Sequence, residues 1–418
     1  MNKNELRLTF SISLFFLSFS IFVRAQILGC TDPLAANYDI SATQNDGSCT
    51  YTLSSVAVLQ SWDLPSEVVE TSGLASWDNA IWTHNDNTDT KLYALDTSSS
   101  IVTLSELQLT DLTNHDWEEI KVDDMFIYLA DVGNNANGNR QDLQILRIDR
   151  TSLSVGNPQV DTIHFSYSEQ VNFLGSGPNA TDFDCEAFIT TVDSIFLFTK
   201  EWNSNKTTMY ALPNMPGNYV AQKRGELDVQ GLITGATSML DDQLIILVGY
   251  TESLMPFFYL LYDFDQTDFF GGNKRKVPIN LPFHQIEGVT TSNGISVLVS
   301  NEKFQQSTIT INQKLHCFDL TSFLMNYLNP SSLEINAPLE VDAIHVFPNP
   351  VTGDTYIQVA ESLIGKSFVV SSELGDVLLE HEITSSLSCI DFSFLPCGVY
   401  QIVISGKPQR AFKFIVQR

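Results

Sequence analysis

Residues 118–135 read EEIKVDDMFIYLADVGNN: a short strand-like run, an Asp-Asp turn, a second run of apolar residues and a polar close. The same phrase recurs along the chain. Its other copies are SGLASWDNAIWTHNDN from Ser72, EAFITTVDSIFLFTKEWN from Glu186, GATSMLDDQLIILVGYTE from Gly235 and EGVTTSNGISVLVSNEKF from Glu287. Each second run ends in a polar cluster, and most are followed by a further strand-like run, such as KLYALD at 91–96, LQILRID at 143–149 and TTMYALP at 207–213. Starts at 72, 118, 186, 235 and 287 give steps of 46, 68, 49 and 52 residues. Several strands per step at that period are the signature of β-propeller blades. A sandwich of irregular strands would not repeat a turn at a fixed offset. The expected fold is all-β, with a five- or six-bladed β-propeller over 53–328; the step of 68 holds either a sixth blade or an insertion near 155–180.

Composition agrees with a strand-rich protein. Of 418 residues 43% are hydrophobic and 17% charged, so a sizeable core can form and wholesale disorder is excluded. A formal net charge of −27 opposes nucleic acid and anionic membranes as partners. It suits divalent cations, or simple solubility.

The chain opens MNKNELRLTFSISLFFLSFSIFVRAQ, with Lys3 and Arg7 ahead of an apolar run from Leu8 to Val23. Val23 and Ala25 stand three and one residues before a cleavage point at Gln26, the layout of a signal peptide over 1–25. The run is shorter than the roughly 20 residues of a membrane anchor, and no later stretch is apolar enough to span, so the mature chain is expected to lack a transmembrane helix. Ile27-Leu28-Gly29-Cys30 loosely matches a lipoprotein box, but Arg24 and Gln26 separate it from the apolar core.

Residues 26–52 hold GCTDPLAANYDISATQNDGSCTY, a polar segment too poor in apolar residues to fold by burial. A Cys30–Cys49 bridge would staple it, at about 3 kcal/mol. The segment resembles a Cys-framed, Asp-rich repeat of secreted Bacteroidetes proteins, and Asp32, Asp39 and Asp46 are candidate calcium ligands in the manner of thrombospondin type 3 repeats. Cys389 and Cys397 form a second expected pair; Cys185 and Cys317 cannot be paired from sequence.

Residues 329–342 read as a linker, and a β-rich tail over 343–418 as a small β-sandwich. The tail carries Phe347-Pro348-Asn349-Pro350, Glu373-Leu374-Gly375-Asp376, Gly398-Val399-Tyr400 and a basic, apolar finish from Lys413 to Arg418. It resembles the type A C-terminal sorting domain of the type IX secretion system. The resemblance implies that the type IX machinery is a partner, that the outer membrane is crossed, and that the product is secreted or held at the cell surface.

In a propeller, the first strand of each blade lines the channel, and the loop after the second strand opens where the first begins. Repeat openers and closers therefore meet at one mouth. The openers are Asp116, Glu118, Asp184, Glu186 and Glu287. The closers are His84, Asn85, Asp86, Asp131, Asn134, Asn135, Lys200, Glu201, Asn301, Glu302 and Lys303. Converging carboxylates repel unless a cation offsets them. Such hard oxygens suit Ca²⁺, with Glu118, Asp131, Glu186 and Glu287 as the expected ligands and Asp116, Asn134, Asp184, Lys200 and Glu302 beside them. The alternative is that each acid caps backbone N–H groups at strand ends.

The repeats also resemble esterase-like phytase and SdiA-regulated propellers. The carriers are Asp116-Trp117-Glu118-Glu119-Ile120, Asp131-Val132-Gly133-Asn134-Asn135 with Arg140, Asp184-Cys185-Glu186-Ala187-Phe188, Lys200 and Thr234-Gly235-Ala236; Cys185 departs from the small residue of that pattern. There is no GxSxG elbow, P-loop, HExxH or CxxC, and His84, His115 and His284 are scattered. The leading expectation is a binding or scaffold module for an extracellular ligand that the sequence does not name. The competing one is a calcium-dependent phosphoester hydrolase, which needs basic groups beside the mouth.

Overall fold

The computed structural model describes residues 26–78, 80–96, 103–154, 158–328, 344–347, 351, 354–359, 364–372, 376–385, 387–392, 394–404 and 411–416. The signal peptide and the linker lie outside the described residues. The chain divides into two compact units, Met1–Pro330 and Ser331–Arg418, and is nearly all β.

In the first unit the cysteine-framed segment holds two short parallel strands, β1 (Leu28–Gly29) and β2 (Gln44–Asn45), and β3 (Gln60–Asp63) follows. Then come antiparallel four-stranded sheets. The first is β4 (Thr71–Trp77), β5 (Ala80–Asn85), β6 (Lys91–Asp96) and β7 (Thr103–Gln108). The second is β8 (Trp117–Val122), β9 (Phe126–Asp131), β10 (Gln144–Asp149) and, after helix α1 (Arg150–Ser154), β11 (Val160–Tyr167). The third is β12 (Asp184–Thr190), β13 (Ser194–Lys200), β14 (Thr207–Pro213) and β15 (Gly217–Leu227). Outer strands β11 and β15 pair in parallel from Ile163↔Gly217 to Tyr167↔Ala221, fusing these two sheets into one of eight strands.

The fourth sheet is β16 (Leu232–Met239), β17 (Leu244–Tyr250), β18 (Pro256–Tyr262) and β19 (Asn273–Pro278). The last contains β20 (Ile286–Thr291) and β21 (Ser296–Asn301); a hairpin of β22 (Phe304–Gln306) and β23 (Ile309–Ile311) leads to β24 (Lys314–Asp319), and helix α2 (Thr321–Leu328) follows. Its fourth strand is β3, paired from Lys314↔Asp63 to Cys317↔Gln60, so an early segment completes the last sheet. The step of 68 is filled by α1, the eight-residue β11 and the loop at 168–183, not by another set of strands.

Innermost strands neighbour one another in the cyclic order β4, β8, β12, β16, β20 and back to β4. An apolar layer fills each gap: Trp77 with Trp117, Phe165 with Phe188, Phe198 with Phe257, Phe258 with Phe318, and Leu74 with Leu315 across the closing gap. Sheets buried on both faces need continuous apolar runs, which is why LIILVGY and PFFYLLY do not alternate.

The Cys30–Cys49 bridge is present, and its loop docks on the fourth sheet. Asp32 accepts hydrogen bonds from the hydroxyls of Tyr262 (2.6 Å) and Tyr51 (2.9 Å) and from Leu34 N. Asp39 caps Ser41 and Asp46 caps Ser48. The expected calcium ligands of this loop are thus spent separately, on docking and on turns.

In the second unit, β25 (Ile344–Phe347), β26 (Asp354–Val359) and β29 (Leu387–Asp391) form one sheet. Strands β27 (Ser367–Ser372), β28 (Val377–Glu382), β30 (Gly398–Ile404) and β31 (Ala411–Val416) form the other. Ile357, Phe368, Ile390, Ile402 and Phe414 share its core. The expected Cys389–Cys397 bridge is corrected: Cys397 is a free, exposed thiol before β30, whereas Cys389 lies on β29, and these strands belong to different sheets. Cys185 and Cys317 are also free.

Candidate functional site

A β-bulge inserts an extra residue that re-aims a side chain. Every innermost strand carries one register shift near its start, between Thr71/Leu74, Trp117/Glu119, Cys185/Ala187, Ile233/Gly235 and Ile286/Val289. Ser72, Glu118, Glu186, Thr234 and Glu287 fall within these shifts, so three of the five carry a glutamate. Opposite the first residue of each innermost strand stand Asn85, Asp131, Lys200, Tyr250 and Asn301, the last residues of the second strands.

These positions meet at one end of the ring. Lys200 Nζ donates to both carboxyl oxygens of Glu186 at 2.6 Å and lies over the rings of Trp202 (4.8 Å) and Tyr250 (5.3 Å). Glu287 lies within electrostatic reach of Glu186, whose charge favours its protonated form. Burial works against the Lys200 charge, but the carboxyls of Glu186 and Glu287 hold it well above the ordinary lysine value. Burial pushes Glu186 up to about 8, with Lys200 opposing. It holds Glu118 and Glu287 well above the carboxylate range, with the Glu186 charge adding to both.

A second tier lies at the rim. Asp86, Asp116 and Glu302 are half-buried. Burial, then the charges of Glu302 and Glu70, push Asp86 up to about 8. Burial and Asp184 bring Asp116 to about 6, and burial with Glu186 brings Glu302 to about 7. Glycine is required at Gly133, where a Cβ would overlap the carboxyls of Asp116 and Glu118. Carboxyls from the first, second, third and last sheets therefore share one electrostatic neighbourhood, and burial with mutual repulsion raises them above the ordinary carboxylate range.

Other expected ligands are spent on structure. Asp131 accepts from Arg140 Nη2 (2.9 Å), Gln144 Nε2 (3.1 Å) and Asp116 N (3.2 Å), and lies 2.9 Å from His115 Nδ1. These contacts make a buried knot around its carboxyl. Asp184 accepts from Asn134 N (2.6 Å) and Trp202 Nε1 (2.8 Å), and Asn134 also holds Phe183 O and Arg140 N. Glu201 holds Thr199 and Ser204, while Asn301 holds His316. Asn135 takes Asn179 N on its backbone carbonyl, and Lys303 donates its backbone N–H to Val69. His84 is wholly buried against Trp117, and burial lowers it to about 4. Among the described residues no three His, Cys, Asp or Glu side chains are grouped to hold a metal ion. The ammonium of Lys200 occupies the place expected for the cation.

Three parts of the site escaped the sequence reading. Tyr250 closes the fourth repeat as Lys200 closes the third, a signal that was available. Trp202 and Glu70 carry no repeat signal. Deeper in the ring, Glu119 pairs with Lys121 Nζ at 2.8 Å and accepts from Ala236 N at 3.0 Å, crossing from the second sheet to the fourth.

Residues 345–417 match the family described as the secretion system C-terminal sorting domain. A tail of this family implies recognition by the type IX secretion machinery, and hence export to a secreted or cell-surface location. No curated protein matches the chain. Among solved structures, it is similar to PorZ, a surface component of the type IX secretion system of Porphyromonas gingivalis, at 13% identity and a TM-score of 0.29 over 83% of this chain; it spans only 45% of PorZ. It is also similar to the β-fructofuranosidase BmSUC1 of Bombyx mori, at 9% identity and a TM-score of 0.37, covering 83% of this chain and 86% of that one. A third is the extracellular domain of the one-component system BT4673 of B. thetaiotaomicron, at 10% identity and a TM-score of 0.31, covering 87% and 58%. Likenesses this distant carry no argument about activity. None of these comparisons supports the resemblance of the repeats to esterase-like phytase and SdiA-regulated propellers.

Proposed function

We propose that this chain is an exported five-bladed β-propeller that binds a positively charged ligand at its carboxyl-lined mouth, with the tail as its export address. The cyclic order of the innermost strands, and the completion of the last sheet by β3, support five blades. The convergence of Asp86, Asp116, Glu118, Glu186, Glu287 and Glu302 carries the binding reading. The internal ammonium, caged by carboxyls and two aromatic faces, displays the chemistry the mouth accepts. An organic ammonium group suits the half-protonated rim better than calcium, which wants six to eight oxygen ligands with ionised carboxylates among them. The phosphoester reading is left with the exposed Lys303, since Arg140 is committed to Asp131 and Lys200 to Glu186.

Thermal unfolding with spermidine, Ca²⁺ and Mg²⁺ at equal ionic strength tests the mouth. Spermidine is expected to raise Tm saturably and Asp86→Asn/Glu302→Gln to remove the rise. A larger, saturable calcium shift would restore the metal reading, and equal shifts from all three would leave charge screening alone. Intact mass of protein isolated from its host tests export: loss of residues 1–25 and of the tail from about 343 is expected.

A further inference from the structure

The ring of innermost strands has a second end, and its chemistry is the reverse of the mouth. A cavity of about 170 Å³ is lined there by Ser76, Lys121, Thr190, Thr237, Ser238 and Thr290, among others, with every one of the five innermost strands contributing. Among the described residues no carboxyl group lines it. Its one charged side chain is Lys121, half-buried with its stem against the strand wall.

The polar groups are not all spent. Ser76 and Thr290 share a hydrogen bond at 3.2 Å. Thr190, Thr237 and Ser238 make no side-chain hydrogen bond to another described residue. Lys121 Nζ has three protons to give. One meets Glu119 Oε1 at 2.8 Å, and the carbonyl of Leu74 is a distant 3.5 Å away. Glu119 is wholly buried and off the lining, tied by its other oxygen to Ala236 N. Lys121 lines the cavity, and with one firm partner its ammonium keeps protons to give to a ligand there.

We infer that this end of the ring is a binding site for a small oxyanion, held by the Lys121 ammonium and the hydroxyls of Thr190, Thr237 and Ser238. An ammonium with convergent hydroxyls donates to an oxyanion from several directions and offers nothing ionic to a cation. The volume admits one such ion with water and excludes a nucleotide. The site is independent of the mouth, so either can fail alone.

Calorimetric titration of the full chain with sodium phosphate and with sodium acetate, against sodium chloride at constant ionic strength, tests the assignment. Saturable heat is expected in the phosphate or the acetate arm. The arm that saturates separates a tetrahedral oxyanion from a carboxylate. Glu119→Gln removes the competing negative charge and should tighten binding about tenfold. Lys121→Met alone would strand Glu119, so the loss is read from Glu119→Gln/Lys121→Met, with folding checked by circular dichroism. No saturable heat in either arm overturns the assignment, as does equal heat from chloride, weaker binding in Glu119→Gln, or binding that survives in the double variant.

Discussion

The two ends of the strand ring are built from the same five strands, yet they differ in kind. At the mouth the strand starts are bulged, and three of the five shifts turn a glutamate inward. At the other end the strands run regularly, and serine and threonine face the axis. Between them lies the buried Glu119, paired with Lys121 of the second end and bonded to Ala236 N of the fourth sheet. The bulge makes the difference: it breaks the two-residue alternation and lets neighbouring residues of one strand, Glu118 and Glu119, serve different depths of the ring.

The sharpest way to break this contrast is to remove the mouth's internal cation. Lys200→Met leaves Glu186 buried without its partner, and the expected loss is about 3–5 kcal/mol. Lys314→Met, which breaks an exposed pair with Asp63, should cost about 0–1 kcal/mol. Denaturant unfolding compares them. Equal costs would mean that the mouth lysine is solvated rather than caged.

Opening the loop staple probes a region with no part in either end. Cys30→Ser/Cys49→Ser should cost about 3 kcal/mol, without changing the response to spermidine. Loss of that response would place the loop in the site.

The two ends should also part company in pH dependence. Glu186 rises from 4.5 to about 8, and Asp86 from 3.8 to about 8. A carboxyl raised in the folded state contributes stability that is fully present below its unfolded value and is lost as pH rises through its folded value. The folded state should therefore weaken between about pH 4.5 and 8, the reverse of ordinary acid denaturation. Glu118→Gln should flatten the slope and Thr237→Val should leave it alone, which thermal melts across that range will read. The smallest effect is expected in the docking loop: Asp39→Asn, at an exposed turn, should leave the melting temperature nearly unchanged.

Much of the mouth was legible because repetition carries position. Glu118, Glu186 and Glu287 open their repeats, and Lys200 closes one, so their meeting follows from the offset alone. Asp131 shares that offset, but its hydrogen-bond partners do not follow from it. Its neighbours in the fold, Arg140 and Gln144, come from the following loop and strand, where no repeat signal applies. Tyr250 was hidden by chemistry rather than position, being aromatic where the other closers are polar. Glu119 was hidden by the bulge, since strict alternation would send it away from the axis. The tail's fold was legible from its motifs, but the pairing of Cys389 with Cys397 assumed adjacent strands, and these two belong to different sheets.

The claim on which the rest depends is that buried carboxyls at the mouth hold protons at neutral pH. Carbon-detected NMR titration of ¹³C-carboxyl-labelled Asp and Glu, assigned with Glu186→Gln and Asp86→Asn, measures this directly. Glu186 and Asp86 are expected to titrate near 8 and to shift one another's neighbours as they do so. A set of carboxyls that all titrate between about 3 and 5, the ordinary carboxylate range, would contradict it.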